Sequence, residues 1–386
     1  MATRVWYNAS PVAHIVIDSC PGAGAGRECN GEALEAAAIA SLERLHQITV
    51  VGDESEITLA LQRIAHDAEH LRVVHAADRL DPEQDLRTAL ARAPRSSVVV
   101  GMELLARDPA AIFVSAGGPG AIVTAALATL QRIPSVSRAA LAAVYPTLRP
   151  HGPASDPFAL LLDVGATVSC TADDLVTFAA MGAAYAAKIS RLERPRVALL
   201  SNGASTSSAP PRIRDAHRRL QQCQPGFEYI GCLRADHVTS GDADVIVTDG
   251  FTGDVLLRTL EGIAATGEAL IQRAAERLQW RVGVKMLADG ITAVREFTDW
   301  ENYGGAPLLG LDRAVIVTQA NSGRRAFLNA IRLGAKIDRL QVLAAVAAGV
   351  AAMRSKLPEP GPEPGPDPVA DPVAAPIASD REEPAR

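Results

Sequence analysis

An α/β fold with a mostly parallel sheet covered by helices on both faces is predicted from three features of the chain. Short β-branched runs alternate with longer helical patterns along its length. The runs are continuously apolar, as strands buried on both faces are, rather than alternating. Several of them end in turns rich in glycine, and open parallel sheets place their ligand sites at such carboxyl ends of strands.

In chain order the predicted strands are 14–18, 47–51, 72–75, 111–115, 160–163, 196–200, 228–232, 245–248 and 314–317. Helical patterns fall between most of them, including 31–44 and 56–70. Residues 262–300 read differently, as a helical hairpin of 262–278 and 284–297. Trp280, Arg281 and Lys285 lie near its bend, beside Leu278 and Val282. Such a hairpin is a surface or dimer-forming element, or an amphipathic contact with a membrane interface. From Leu357 the composition breaks into a Pro/Ala/Asp/Glu tail with too little apolar mass for a core. The expected organisation is one α/β domain over 1–356, with the hairpin inside it and a disordered tail over 357–386.

Of the 386 residues 48% are hydrophobic but only 4% aromatic, which suits tightly packed, alanine-rich helices. The net charge of -6, with no long basic run, argues against nucleic acid as a partner. Five cysteines, an odd number with no CxxC pair, argue against a zinc site or a disulfide framework and fit a reducing cytosol. No apolar run reaches the roughly 20 residues of a bilayer span, and no signal peptide is read. The expectation is a cytoplasmic protein, at most peripheral on the inner face of a membrane, with no metal and no cofactor. His66 and His70 have helical i,i+4 spacing but no third ligand nearby.

Four loops could carry chemistry. In Ser115-Ala116-Gly117-Gly118-Pro119-Gly120-Ala121 a strand runs into a glycine-rich turn and then a helix near Ala121, an arrangement that aims backbone amides at an anion. Asp163 ends an apolar strand in Leu161-Leu162-Asp163-Val164-Gly165-Ala166-Thr167, where a carboxylate must be paired or hydrogen-bonded. It either anchors the loop or orients a substrate. Asp173 and Asp174 follow as helix caps. Thr248-Asp249-Gly250-Phe251-Thr252-Gly253-Asp254 repeats the strand-end pattern ahead of a helix expected from Val255. Tyr303-Gly304-Gly305-Ala306-Pro307-Leu308-Leu309-Gly310 reads as a rigid loop before the last strand.

Taken together, SAGGPGA, LDVGATVSC, TDGFTGDVLLRTLEG and YGGAPLLGL, in this order and at these separations, closely resemble the phosphate acyltransferases of bacterial phospholipid synthesis. The similarity runs over about 96–335. It implies a three-layer sandwich related to phosphotransacetylase, a homodimer, and membrane contact through 262–300. It also implies acyl transfer from acyl carrier protein to inorganic phosphate, giving the acyl phosphate used in glycerol-3-phosphate acylation. The chain departs from the family pattern in several loops. Asp18 of the opening loop is kept, but Ser19-Cys20-Pro21-Gly22-Ala23-Gly24 follows. Gly118 and Pro119 stand where the pattern has an amide and a hydroxyl side chain, and Thr167 where it has an amide. Residues 201–205 lack the family's acids, leaving Arg212 and Arg214 as the nearby cations. The family's His-Gly falls near Ala320-Asn321.

Phosphate is itself the nucleophile in such a transfer, so no acylated side chain is required. The expected anion donors are the amides of Gly117, Gly118, Gly120, Gly250 and Gly253, with Pro119 contributing none. Ser115, Gly165, Thr167, Tyr303, Gly304 and Gly305 are expected to line the same pocket. Asp163, Asp249 and Thr252 are the expected catalytic group, through loop positioning, proton handling and a hydroxyl donor. The trimmed loops leave a second reading open, a homologue that binds or regulates an active acyltransferase without turnover.

Overall fold

The computed structural model describes residues 13–20, 30–81, 84–152, 156–203, 206–207 and 209–357. The tail read from the sequence and part of the loop after Asp18 lie outside them. The first elements are β1 (Ala13–Asp18), α1 (Gly31–Leu42), β2 (His46–Gly52), α2 (Glu54–Leu61), β3 (Leu71–His75), α3 (Leu86–Arg92), α4 (Ser97–Arg107), β4 (Ala111–Ser115) and α5 (Pro119–Thr129). Next come β5 (Ala140–His151), β6 (Asp156–Leu162), α6 (Ala172–Ile189), β7 (Arg196–Ser201), α7 (Pro211–Gln222), β8 (Glu228–Arg234) and β9 (Val245–Val247). The chain continues through α8 (Gly250–Ala275), α9 (Leu278–Met286), α10 (Ala288–Thr298), β10 (Ala306–Leu309), β11 (Ala314–Val317), α11 (Arg324–Arg339) and α12 (Val342–Arg354).

All strands join one 11-stranded sheet in the order β3-β2-β1-β4-β11-β10-β5-β6-β9-β7-β8. The pairings from β3 to β11 are parallel, and so are those from β6 to β8. Between these blocks the pairs β11–β10, β10–β5 and β5–β6 are antiparallel. Three reversals give the two parallel blocks opposite polarity. The predicted mostly parallel sheet is therefore present, built as two halves.

Burial follows the strand period of two. Ala13, Ile15 and Ile17 of β1 enter one apolar cluster with α1, α6 and α11, while Val16 enters the other with α4 and α5. Both sides of the strand are thus covered, which is why the run is uniformly apolar. Each such side chain contributes about 1.5–3 kcal/mol on burial.

Every predicted run becomes a strand, but β5 and β10 were not anticipated. β5 carries Pro146 and Pro150, which read as turn residues. β10 has four residues, includes Pro307, and lies within the stretch read as a rigid loop. α2 stops at Leu61 instead of continuing to 70: the Arg63 and Ile64 amides turn back to the Ala60 and Leu61 carbonyls, and further on Asp67 accepts from the Glu69 amide at 2.9 Å and from Arg44 at 2.7 Å. Asp174 caps its helix as expected, whereas Asp173 does not. Asp174 closes a capping box with Thr171, and Asp173 pairs with Arg219 and Arg354. The hairpin differs in outline: α8 runs unbroken through Gly262 to Ala275, and α9 and α10 form the return.

Candidate functional site

In the first half, β1 and β4 end side by side, since Ile17 pairs with Val114. The Ser115 hydroxyl donates to the fully buried Asp18 at 2.7 Å and accepts from the Gly117 amide at 2.9 Å. Burial pushes the Asp18 carboxyl up, against bonds from Ser115, Ser97 and the Cys20 amide. Gly118 is the N-cap of α5, with Pro119 at its first position. The amides of Gly118 and Gly120 have no acceptor among the described residues. Helix geometry leaves such first-turn N–H groups unpaired and pointing outward along a positive dipole end. This turn can therefore hold an anion, with two free amides flanking one proline.

In the second half, β6 and β9 end together, Leu162 opposite Val247. Asp163 is fully buried. One of its oxygens accepts the amides of Leu141 at 2.8 Å, Gly165 at 3.1 Å and Ala166 at 3.0 Å, and the other accepts Thr167 at 2.8 Å. Burial raises its pKa against these bonds. Asp249 caps α8, accepting the Thr252 amide at 2.9 Å and the Thr252 hydroxyl at 3.0 Å. Arg212, on the first turn of α7, reaches the same carboxylate at 3.0 Å. Cys170, pushed up to about 12 by burial and then by Asp249 and Asp174, is a protonated thiol at neutral pH and no nucleophile.

The glycines of the second half serve close approach. A Cβ on Gly253 would lie 1.9 Å from the Asp163 carbonyl oxygen, and one on Gly250 would lie 2.3 Å from the Thr167 carbonyl oxygen. The amides expected to meet phosphate there are already engaged: Gly250 donates to the Thr167 hydroxyl at 3.1 Å and Gly253 to the Asp249 carbonyl at 2.9 Å. The reason is that α8 starts at Gly250 rather than Val255, so Gly253 lies within its first turns. Gly117 is likewise engaged, by Ser115. Of the five amides expected to bind phosphate, only those of Gly118 and Gly120 lack an internal acceptor among the described residues.

The Tyr303–Gly305 segment docks the return of the hairpin. Gly304 and Gly305 have φ of 83° and 86°. A Cβ on either would press on the backbone of Asn329 or Val317. The Tyr303 hydroxyl donates to the Phe297 carbonyl, and its ring packs on Phe158 with centroids 4.4 Å apart. Burial, then Asp299, pushes this phenol up to about 12.

Each group of loops is therefore tied internally. The Gly305 backbone meets Val317 and Thr318, and the Thr318 amide bonds the Ser115 carbonyl at 2.8 Å. Asp163, Thr167, Asp249, Thr252 and Arg212 form the other group. Besides the β10–β5 pairing of the sheet, α8 touches both. Its first turn sits on the Asp163 loop, and Glu261, near mid-helix, accepts from the Gln319 side chain at 2.8 Å, just past β11. Asp254, Arg258 and Glu261 lie on one face at i, i+4 and i+7. Arg258 bonds both Asp254 oxygens, at 2.8 and 2.9 Å. The sequence reading missed Arg258, Glu261 and Gln319. The helical spacing inside TDGFTGDVLLRTLEG was the available signal for the first two, and nothing local marks Gln319. Among the described residues no three His, Cys, Asp or Glu side chains are grouped to hold a metal ion.

A mixed sheet of two opposed parallel halves between helical layers defines the phosphotransacetylase-like class of fold. A phosphotransacetylase from Streptococcus pyogenes superposes with a TM-score of 0.54 at 17% identity, covering 89% of this chain and 94% of that one. A branched-chain phosphotransacylase from Enterococcus faecalis V583 gives 0.51 at 15% identity, covering 85% and 99%. Within this class the chain belongs to the phosphate acyltransferase family. The family profile described as fatty acid synthesis protein matches residues 14–345. The phosphate acyltransferase of Myxococcus xanthus (strain DK1622) is 37% identical over 289 residues, 74% of this chain and 80% of the relative. That of Thermoanaerobacter pseudethanolicus is 34% identical over 287 residues, covering 74% and 82%.

Proposed function

We propose that this protein transfers a fatty acyl group from the thioester of acyl carrier protein to inorganic phosphate, giving acyl phosphate for phospholipid synthesis. The observation that carries the reading is the head of α5, where the amides of Gly118 and Gly120 have no acceptor among the described residues and lie beside the Asp18–Ser115 pair. A phosphate oxygen bonds the thioester carbonyl carbon, the C–S bond breaks, and the sulfur leaves as a thiolate that water protonates. Holding phosphate against the carbonyl lowers the barrier by several kcal/mol through proximity. Main-chain donors stabilise the developing oxyanion. Asp163 and Asp249 act as positioning residues: one holds the loop after β6, the other starts α8 and orients Thr252 and Arg212. Gly165 and Thr167 shape that loop, and Tyr303, Gly304 and Gly305 hold the hairpin return against α11 and the end of β11.

The same reading includes a homodimer and transient membrane contact. Phe251, Val255, Ile263 and Leu270 are exposed on one broad flank of α8, suited to a second copy. Trp280 is 55% exposed and Met286 82%, and Val282 and Leu287 are exposed beside Arg277, Arg281 and Lys285. Apolar and basic residues together suit an anionic membrane surface. No helix among the described residues is long and apolar enough to cross a membrane. A cytoplasmic protein that visits the inner leaflet, with 1–356 as its working domain, matches these features.

The test is direct. Purified protein, long-chain acyl carrier protein and phosphate should yield acyl phosphate, trapped by hydroxylamine as the hydroxamate. A folded protein with no turnover above background rejects the reading in favour of a non-catalytic partner. Vesicles containing anionic lipid should retain the wild type and release the Trp280→Ala/Arg281→Ala variant; equal retention removes the membrane assignment.

A further inference from the structure

The geometry points to Glu261 and Gln319 as a positioning pair that sets the separation between the two loop groups for acyl transfer, an inference that rests on the function just proposed. The two halves of the sheet carry their loop groups on opposed strands, joined in the main chain through β10 and β5. Glu261 bridges them. It belongs to α8, whose first turn is locked on the Asp163 loop through Gly250 and Gly253. Its carboxylate accepts from Gln319 at 2.8 Å. Gln319 directly follows Thr318, whose amide holds the Ser115 carbonyl at 2.8 Å and whose neighbour Val317 pairs with Ser115. From the anion-holding turn to the Asp163 loop the chain of contacts is therefore Ser115, Thr318, Gln319, Glu261 and α8.

The surroundings of Glu261 show why a carboxylate stands there. Leu256, Leu257 and Leu260 anchor the adjacent face of α8 in the core cluster beneath β10 and β5. Glu261 is half-buried, and burial pushes its carboxyl up, against the Gln319 bond and the Arg258 charge, with Asp254 adding to the rise. Tyr145 of β5 lies close enough for its own phenol to be raised, by burial first and then by this carboxylate. A partly desolvated carboxylate held by one polar side chain from another element, with a cation of its own helix nearby, is costly to place, and such groups gather at functional sites. A bond between α8 and the loop after β11 fixes geometry at a distance from the reacting atoms, where a misplacement of about 1 Å costs on the order of 100-fold in rate.

The experiment is a double-mutant cycle on the full chain in the hydroxamate assay, using Glu261→Ala, Gln319→Ala and both together, with Glu261→Gln as the conservative variant. We expect each alanine variant to lose about tenfold or more in kcat with KM for phosphate changed less than about threefold. The double variant should be no slower than the worse single one, because both remove one bond. Glu261→Gln keeps an acceptor for Gln319 and should recover to within about threefold of wild type. Gln319 lies in a loop, so its variant keeps the test valid if Glu261→Ala fails to fold. Losses that multiply in the double variant, unchanged kcat in Gln319→Ala, or failure of Glu261→Gln to recover would each overturn the pair. Wild type without turnover would instead sink the acyl-transfer reading, and this inference with it.

Discussion

The two halves of the sheet treat their strand-end loops in opposite ways. In the second half every predicted polar group is consumed by the protein itself: Asp163 takes four amides, Asp249 caps α8, and Gly250 and Gly253 are backbone contacts. In the first half the loop after β4 keeps two amides free at the head of α5. LDVGAT and TDGFTGD thus hold backbone to backbone. SAGGPGA, where side chains were lost, still presents main-chain donors. A glycine-ended motif can serve packing as much as binding, because a missing Cβ can matter more to the fold than a missing hydroxyl.

The largest expected effects test whether the second half is a lock. Gly253→Ala places a methyl group into the Asp163 carbonyl, and should destabilise the protein by about 3 kcal/mol or prevent folding. Gly118→Ala meets open space and should shift stability by no more than about 0.5 kcal/mol. Equal melting temperatures for the two variants would dissolve the contrast. Asp163→Asn comes next. One oxygen becomes a donor facing an amide, so a loss of about 2–4 kcal/mol in chemical denaturation is expected.

The first half is tested by Gly118→Pro. Its φ of −57° already suits proline, so the change deletes an N–H with little strain. KM for phosphate should rise about tenfold while the melting temperature holds, roughly 1.4 kcal/mol of binding. An unchanged KM would move the anion site elsewhere. Arg212→Gln should be milder: the Asp249 pair is partly exposed and is worth at most about 1 kcal/mol of stability by melting.

The smallest effect concerns pH. Burial holds Glu261 above its ordinary 4.5, so the folded chain binds more protons than the unfolded one above that value. Stability from this group therefore falls as pH rises from about 4.5 through the folded value. Glu261→Gln removes the fall. Melting temperatures measured upward from pH 4.5 should shift progressively in favour of the variant, and a constant difference would place the carboxylate in ordinary solvent.

The apolar runs and glycine-ended strands were enough to name the fold class and the predicted strands, because burial on both faces writes itself into local composition, while the family came from the resemblance of four loop motifs. The cap at Asp174 was legible because a capping box is a local pattern, whereas the pairing of Asp173 with Arg219 and Arg354 was not. What only the tertiary structure decided was polarity and occupancy. The reversals through β10 and β5 depend on pairings between distant segments, and four residues containing a proline carry no local sign of them. Which amides are free depends on where α8 starts and on what Ser115, Thr167 and Asp249 reach. The bond from Glu261 to Gln319 joins residues far apart in sequence. A hydrogen bond is directional and short, so whether a donor is spent or available is settled by atoms brought together in space, while hydrophobic burial has no direction and needs only the right residues in the right order.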